Sequence, residues 1–382
     1  MRTPRIYFYC CDEPDNLQDD IIQIAEGLED LGIPFYANTN YWLKSTQSGD
    51  YLFKATPDIA PSDCDVVVLP YTWFNWVRIG LPTIRRPVPP DLFKLQRKYL
   101  TVYMDTNDGY RTVAFENKFR QFDMVFRTKY NSRFYHPTNF KPWNMGMSRR
   151  IIRATSDAPP FHERSHSILF NFGASHPFEH QVRRLANEVF KPRIAELLEL
   201  DENKSNLNTP PEDSYDRLMW EQTTRRHSPE YYARLKRSAA VACFCGQLVP
   251  CFPLDPTWFT WGGGRARIIN AFNGSISRLI GGEDRIVQWD SWRFWESLAA
   301  GCAAFNIDLE KYGVVIPEMP KNWEHYIGVD LRNVTPVVER LRDEPQILEK
   351  VASQGRQWAL QHYAPKPTAL RFLAMLGFTG PY

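Results

Sequence analysis

Short apolar runs alternate with amphipathic stretches along most of this chain. Arg5 to Cys10 is a bounded apolar run and predicts a strand. Leu17 to Leu31 carries apolar residues at helical spacing and stops at Gly32, so it predicts an amphipathic helix. Pro34 to Asn38 predicts a second strand, which makes the opening β-α-β. Three further runs, Asp65–Pro70, Tyr99–Met104 and Met124–Arg127, read as buried strands lying side by side in one parallel sheet. The aromatic segment Tyr71 to Trp76 and the proline-rich stretch around Pro82 to Pro90 read as surface excursions at a cleft edge.

The pattern breaks after Trp143-Asn-Met-Gly-Met147. Arg149 to Arg164 is basic, contains prolines and has no helical period, so a linker is expected near residues 148–165. The alternation then restarts. Ser167–Gly173 predicts a strand, Glu179–Leu200 a long helix, and Asp201–Asp216 a polar, mobile loop. Ser228 is placed to cap a helix over Pro229–Ser238, and Ala239–Cys245 is strand-like. Asp290 to Asp308 reads as a capped helix stopped by Gly301 and followed directly by a buried strand from Cys302 to Ile307. Ile347–Gly377 reads as two helices broken at Pro365-Lys-Pro367. A chain of 382 residues with two such alternating halves predicts two α/β domains.

Composition narrows the function only a little. An apolar content of 43% beside 24% charged residues suits a globular domain without a membrane span, and no run approaches the ~20 apolar residues that a span needs. The 14% aromatic share supplies faces that stack on sugars or bases, or a large core. A net charge of +2 gives no field that argues for nucleic acid or an anionic membrane, so nucleic acid is not expected as a partner, while peripheral membrane contact stays open. Seven cysteines without metal-type spacing, and no signal-like start, point to a reducing cytoplasm.

The candidate chemistry concentrates at Ser291–Glu296. Arg293 and Glu296 are three apart and share one face near a helix N-terminus. An arginine there suits a diphosphate, and the carboxylate can accept two ribose hydroxyls. The segments Tyr232-x-x-Leu235-x-x-Ser238, Phe244-Cys245-Gly246 and Ser291-x-Arg293-Phe294-x-Glu296-x-Leu298-x-x-Gly301-Cys302 resemble the C-terminal half of exostosin-like glycosyltransferases of GT-B architecture. Phe172-Gly173, with Arg183 in the next helix, looks like the opening of that family's nucleotide domain.

The resemblance implies two Rossmann-like domains facing a cleft: 1–155 for the acceptor, 156–365 for the nucleotide sugar, and a terminal helix in 366–382 that crosses back to the first domain. It implies a nucleoside diphosphate sugar as co-substrate, a glycan or other hydroxyl acceptor, and no metal or other cofactor. Ser291, Arg293, Glu296, Gly173, Ser175, Arg183, Gly246 and Arg265 are the expected donor-binding residues, with His176 beside Ser175 a further diphosphate contact. Arg265 follows Gly262-Gly-Gly264 in a stretch between Gly246 and Ser291 that is longer than the family places there. An inverting transfer needs a base, and Asp105 or Asp108, just after a strand, is the expected one, with Asp12 and Glu13 as competitors. The alternatives are a silent glycan- or nucleotide-binding module and a nucleotide-sugar epimerase of the same fold.

Overall fold

The computed structural model describes residues 3–11, 17–76, 82–84, 88–94, 96–106, 119–172, 181–202, 208–249, 251, 272, 274–277, 279, 280 and 284–380. Its first sheet has six parallel strands: β1 (Ile6–Phe8), β2 (Phe35–Ala37), β3 (Val66–Pro70), β4 (Leu100–Asp105), β5 (Met124–Arg127) and β6 (Phe140–Pro142), in the spatial order β6-β5-β4-β3-β1-β2. The three apolar runs expected to be neighbours are β3, β4 and β5, and they are adjacent. Residues 66–70 are buried throughout, as a parallel strand covered on both faces must be.

The second sheet has five parallel strands: β7 (Ser165–Leu169), β8 (Glu199–Asp201), β9 (Ser238–Ala242), β10 (Ala303–Ile307) and β11 (Ile327–Val329), in the order β8-β7-β9-β10-β11. The architecture is therefore α/β with two Rossmann-like domains. The long helix expected over 179–200 is shorter and irregular: α-helical over Gln181–Leu185, π-helical over Ala186–Phe190, and α-helical again over Lys191–Ile194. Pro192 has no N–H to continue a regular ladder, which accounts for the wider turn before it. Residues 195–198 form a turn, and the end of the predicted helix becomes β8.

Helix α1 (Asp19–Asp30) follows β1, and the terminal helix (Pro365–Met375) packs against it. Gly27 permits the contact, because a Cβ there would lie 2.0 Å from the Pro365 carbonyl oxygen and 2.7 Å from the Ala369 Cβ. Phe372 and Leu373 join Phe126 and Trp143 in the core of the first domain, and Gln23 Nε2 donates to the Tyr363 carbonyl at 2.6 Å. The chain thus ends on the domain where it began. Pro365 and Pro367 stand in the first turn of this helix, where a missing N–H breaks no ladder bond.

The stretch 201–216, expected to be a polar loop, runs into a helix, Ser214–Gln222, that Asp213 caps. Met219 of this helix also packs into the first core, and the Gln222 amide brackets the backbone of Leu43 through bonds of 2.6 and 3.1 Å. A segment in the second half of the sequence is thereby part of the first domain's wall.

Candidate active site

The helix carrying Arg293 and Glu296, here α2 (Trp292–Ala299), is fixed at both ends. At its C-terminus Gly301 adopts φ +69°, and Arg164 donates to the carbonyls of Gly301 (2.7 Å) and Ala300 (2.8 Å). A guanidinium there satisfies orphan carbonyls and complements the negative helix end. At the N-terminus the buried Asp290 carboxylate accepts from the Met145 amide at 2.8 Å and the Trp295 indole at 2.7 Å. Asp290 therefore ties the start of α2 to the backbone at Met145, and burial pushes its carboxyl up to about 7.

Ser291 occupies the N-cap position, yet its hydroxyl caps nothing and is buried without a hydrogen-bond partner. Arg293 Nη1 is likewise buried and unpaired. The arginine's guanidinium lies 5.6 Å from the Phe172 ring centre, and that of Arg183 lies 5.8 Å from the same ring. Phe172 follows β7, and Arg183 also donates to the Phe244 carbonyl just beyond β9 at 3.2 Å. Arg183, Arg293 and Ser291 are thus gathered at the carboxyl edge of the second sheet, the place where wound α/β sheets hold ligands. Gly246 is at the same edge with φ +100°, and a Cβ on it would lie 2.4 Å from the Val287 carbonyl oxygen. Only glycine fits there. The excursion that begins at Gly246 is closed at its base by antiparallel pairing of Gln247–Val249 with Arg285–Val287.

Beside Gly246 stands Gln288, a residue that pattern reading passes over. It has φ +59° and a side-chain oxygen buried without a partner. A non-glycine residue held in the left-handed region is uncommon, and nothing in the local sequence signals it.

Glu296 is buried one turn into α2. Its Oε2 accepts from the Tyr231 hydroxyl at 3.0 Å and its Oε1 from the Tyr232 hydroxyl at 2.8 Å. A carboxylate offers about four lone-pair sites, so two remain for a ligand. Both tyrosines lie on the helix Pro229–Arg237, whose cap is Ser228 as expected, accepting from the Tyr231 amide. Tyr232 in turn accepts from Arg150 Nη1 at 2.8 Å, and Arg150 also faces His227 Nδ1 at 3.4 Å. Burial, with the charge of Arg150 next, pushes His227 down to about 4, so this imidazole is neutral and cannot serve as a charged partner.

On the facing side is the first turn of α1. Asp19 is buried near Arg150, Ser148, Trp292 and Glu296, and burial raises its carboxyl above the ordinary range. Neither of its oxygens completes a hydrogen bond. Asp20 is equally buried and lies near the Thr106 hydroxyl, just past β4, again without completing one. Burial, reinforced by the charge of Asp19, pushes Asp20 up to about 7.

Of the residues singled out in the sequence, Ser291, Arg293, Glu296, Arg183 and Gly246 come together. Asp105, at the end of β4, is buried and ion-paired with Arg127 at 3.3 Å. Asp108, Asp12, Glu13, Gly173, Ser175, His176 and Arg265 lie outside the described residues. Among the described residues, no helix is long and apolar enough to cross a membrane.

No protein-family profile matches the chain, and no curated protein matches it in sequence. Solved structures do match. An alpha-glucosyltransferase in complex with UDP-glucose and DNA containing an abasic site aligns over 98% of this chain and 99% of its own, with a TM-score of 0.51 and 9% identity. An alpha-glucosyltransferase in complex with UDP and a 13-mer DNA containing an HMU base covers 99% and 100%, at 0.52 and 10%. A third, with UDP and a 13-mer DNA carrying a central A:G mismatch, covers 98% and 100%, at 0.50 and 9%. The expectation that nucleic acid is no partner is overturned, since all three of these proteins are seen with DNA. Net charge averages over a surface and so does not exclude a nucleic-acid partner, because phosphates respond to local arginine density. Arg225 and Arg226 are exposed, and the Arg226 guanidinium lies 4.7 Å from the Trp292 ring at the start of α2. What the full-length alignments establish is that the chain has the GT-B fold of these glycosyltransferases.

Proposed function

We propose that this chain is a glycosyltransferase that takes a sugar from a nucleoside diphosphate donor held at the carboxyl edge of the second sheet. The observation that carries the reading is the set of unpaired donors at the start of α2. The Ser291 hydroxyl and Arg293 Nη1 are buried without partners at the helix N-terminus, with Arg183 across the Phe172 ring. Leaving such groups unsatisfied costs about 1–3 kcal/mol each, which an anion would recover. Phosphate oxygens at a helix N-terminus meet both the donors and the dipole. Glu296, one turn further in, has acceptor sites left for ribose hydroxyls.

In the transfer, the bond from the sugar to the β-phosphate oxygen breaks and the electron pair leaves on that oxygen, where Arg293 and Arg183 stabilise it. We take this arginine pair to replace a metal. The acceptor hydroxyl oxygen forms the new bond to the anomeric carbon and gives up its proton to a carboxylate of the first domain. Asp20 suits that task better than Asp105, because Asp105 is already ion-paired whereas Asp20 has unengaged oxygens and titrates near neutrality. The acceptor is a glycan or another hydroxyl compound, with hydroxyl-bearing nucleic acid among the candidates because the fold neighbours are seen with DNA. The finer placement with exostosin-like enzymes rests on the motifs from Tyr232 to Cys302, and the cytoplasmic setting rests on cysteine usage.

The test is thermal unfolding against a panel of nucleoside diphosphates and nucleotide sugars, with and without EDTA. A ligand that binds the native state raises the melting temperature by mass action. The reading predicts a shift with UDP or another nucleoside diphosphate that EDTA leaves unchanged. No shift with any nucleotide would sink it.

A further inference from the structure

The basic stretch between the two sheets bears on the donor grip. It forms a helix, Arg149–Thr155, and its two leading arginines point to different partners. Arg149 pairs with Glu29 and Asp30 on α1, and its amide donates to Glu26 at 2.7 Å. Arg150 turns inward, where it is 2% exposed, and donates to the Tyr232 hydroxyl. Because the Tyr232 oxygen is occupied by that N–H, its own O–H is directed at Glu296 Oε1, 2.8 Å away. The charge on Arg150 polarises the phenol, and a charge-assisted chain of this kind is stronger than its separate bonds. Tyr231 holds the other Glu296 oxygen at 3.0 Å, with the charge of Arg293 near its phenol.

We propose that Arg150 and Tyr232 are positioning residues for the nucleotide: an arginine–phenol relay from the linker helix orients the Glu296 carboxylate toward the ribose. The relay deepens the donor reading above and rests on it. Discrimination between ribo- and deoxyribonucleotides then depends on a helix that touches no ligand. It also ties donor recognition to the seam between the domains, since Asp19 of α1 faces Arg150 from the other side.

Isothermal titration of UDP and 2′-deoxy-UDP against the wild type, Tyr232→Phe and Arg150→Met tests this. The wild type should favour UDP by about tenfold or more, the effect of one hydrogen bond to a charged acceptor. Tyr232→Phe keeps the ring and its packing and removes only the relay's oxygen. It should bring the ratio close to one, chiefly by weakening UDP, and Arg150→Met, where circular dichroism shows it folded, should do the same. An undiminished preference for UDP in Tyr232→Phe would overturn the relay while leaving the donor site standing. Absence of UDP binding in the wild type would instead remove the nucleotide reading and the relay with it.

Discussion

Asp20→Asn is the substitution that separates a carboxylate kept for chemistry from one kept for the fold. The carboxyl of Asp20 is raised from its ordinary 3.8 to about 7, chiefly by burial. A raised folded-state value means that the native protein holds its proton over a range where the unfolded chain has lost it. The favourable contribution is therefore complete below about pH 4 and is lost as pH rises through about 7. At about 1.4 kcal/mol per pH unit, the span from 3.8 to about 7 amounts to about 4 kcal/mol. Asparagine has the same shape and does not titrate, so its own burial penalty is constant with pH. Urea unfolding of both proteins from pH 5 to pH 8.5 should show the variant gaining on the wild type steadily up to about pH 7, then holding its lead. Sugar transfer by the variant should fall at least a hundredfold with nucleotide affinity kept, the reach of a lost general base. A stability difference flat across this range would refute the argument that Asp20 is a strained, proton-holding group, and full activity would refute its role.

Arg293→Met should weaken UDP binding by about ten- to a hundredfold in a calorimetric titration, the effect of a hydrogen bond between charged groups, while the melting temperature stays within a degree or two. Gly27→Ala should destabilise the protein despite alanine's higher helix propensity, because its Cβ would sit 2.0 Å from the Pro365 carbonyl oxygen. Overpacking of this sort costs about 1–3 kcal/mol, and differential scanning calorimetry should show a drop of several degrees. Gln222→Leu should leave the second sheet intact and loosen the antiparallel pair Tyr41–Leu43 and Tyr51–Phe53, seen as faster amide exchange there, since both bonds that bracket Leu43 vanish together.

Most of the sheet was legible because buried parallel strands are written as continuous apolar runs, and their ends as glycine, proline and cap residues. Gly32 and Gly301 take the left-handed conformation that stops their helices, and Ser228 and Pro365 mark starts where they were expected. Arg293 and Glu296 were legible because helical spacing is local. What could not be read was pairing across long separations. Asp20 looks like an ordinary acid in a first helical turn, and only the folding of β4 brings Thr106 beside it. Tyr231 and Tyr232 meet Glu296 across more than sixty residues. The helix Ser214–Gln222 was missed for another reason: its packing residues Tyr215, Leu218 and Met219 stand at helical spacing, but they span barely more than one turn behind a long polar stretch.

The most direct test of the donor site is the structure of the protein with UDP bound. The account predicts the diphosphate at the N-terminus of the helix Trp292–Ala299, within hydrogen-bond reach of Ser291 and Arg293, and the ribose hydroxyls on Glu296. UDP lodged elsewhere, with Ser291 and Arg293 still unpaired and Glu296 holding only its two tyrosines, would contradict it.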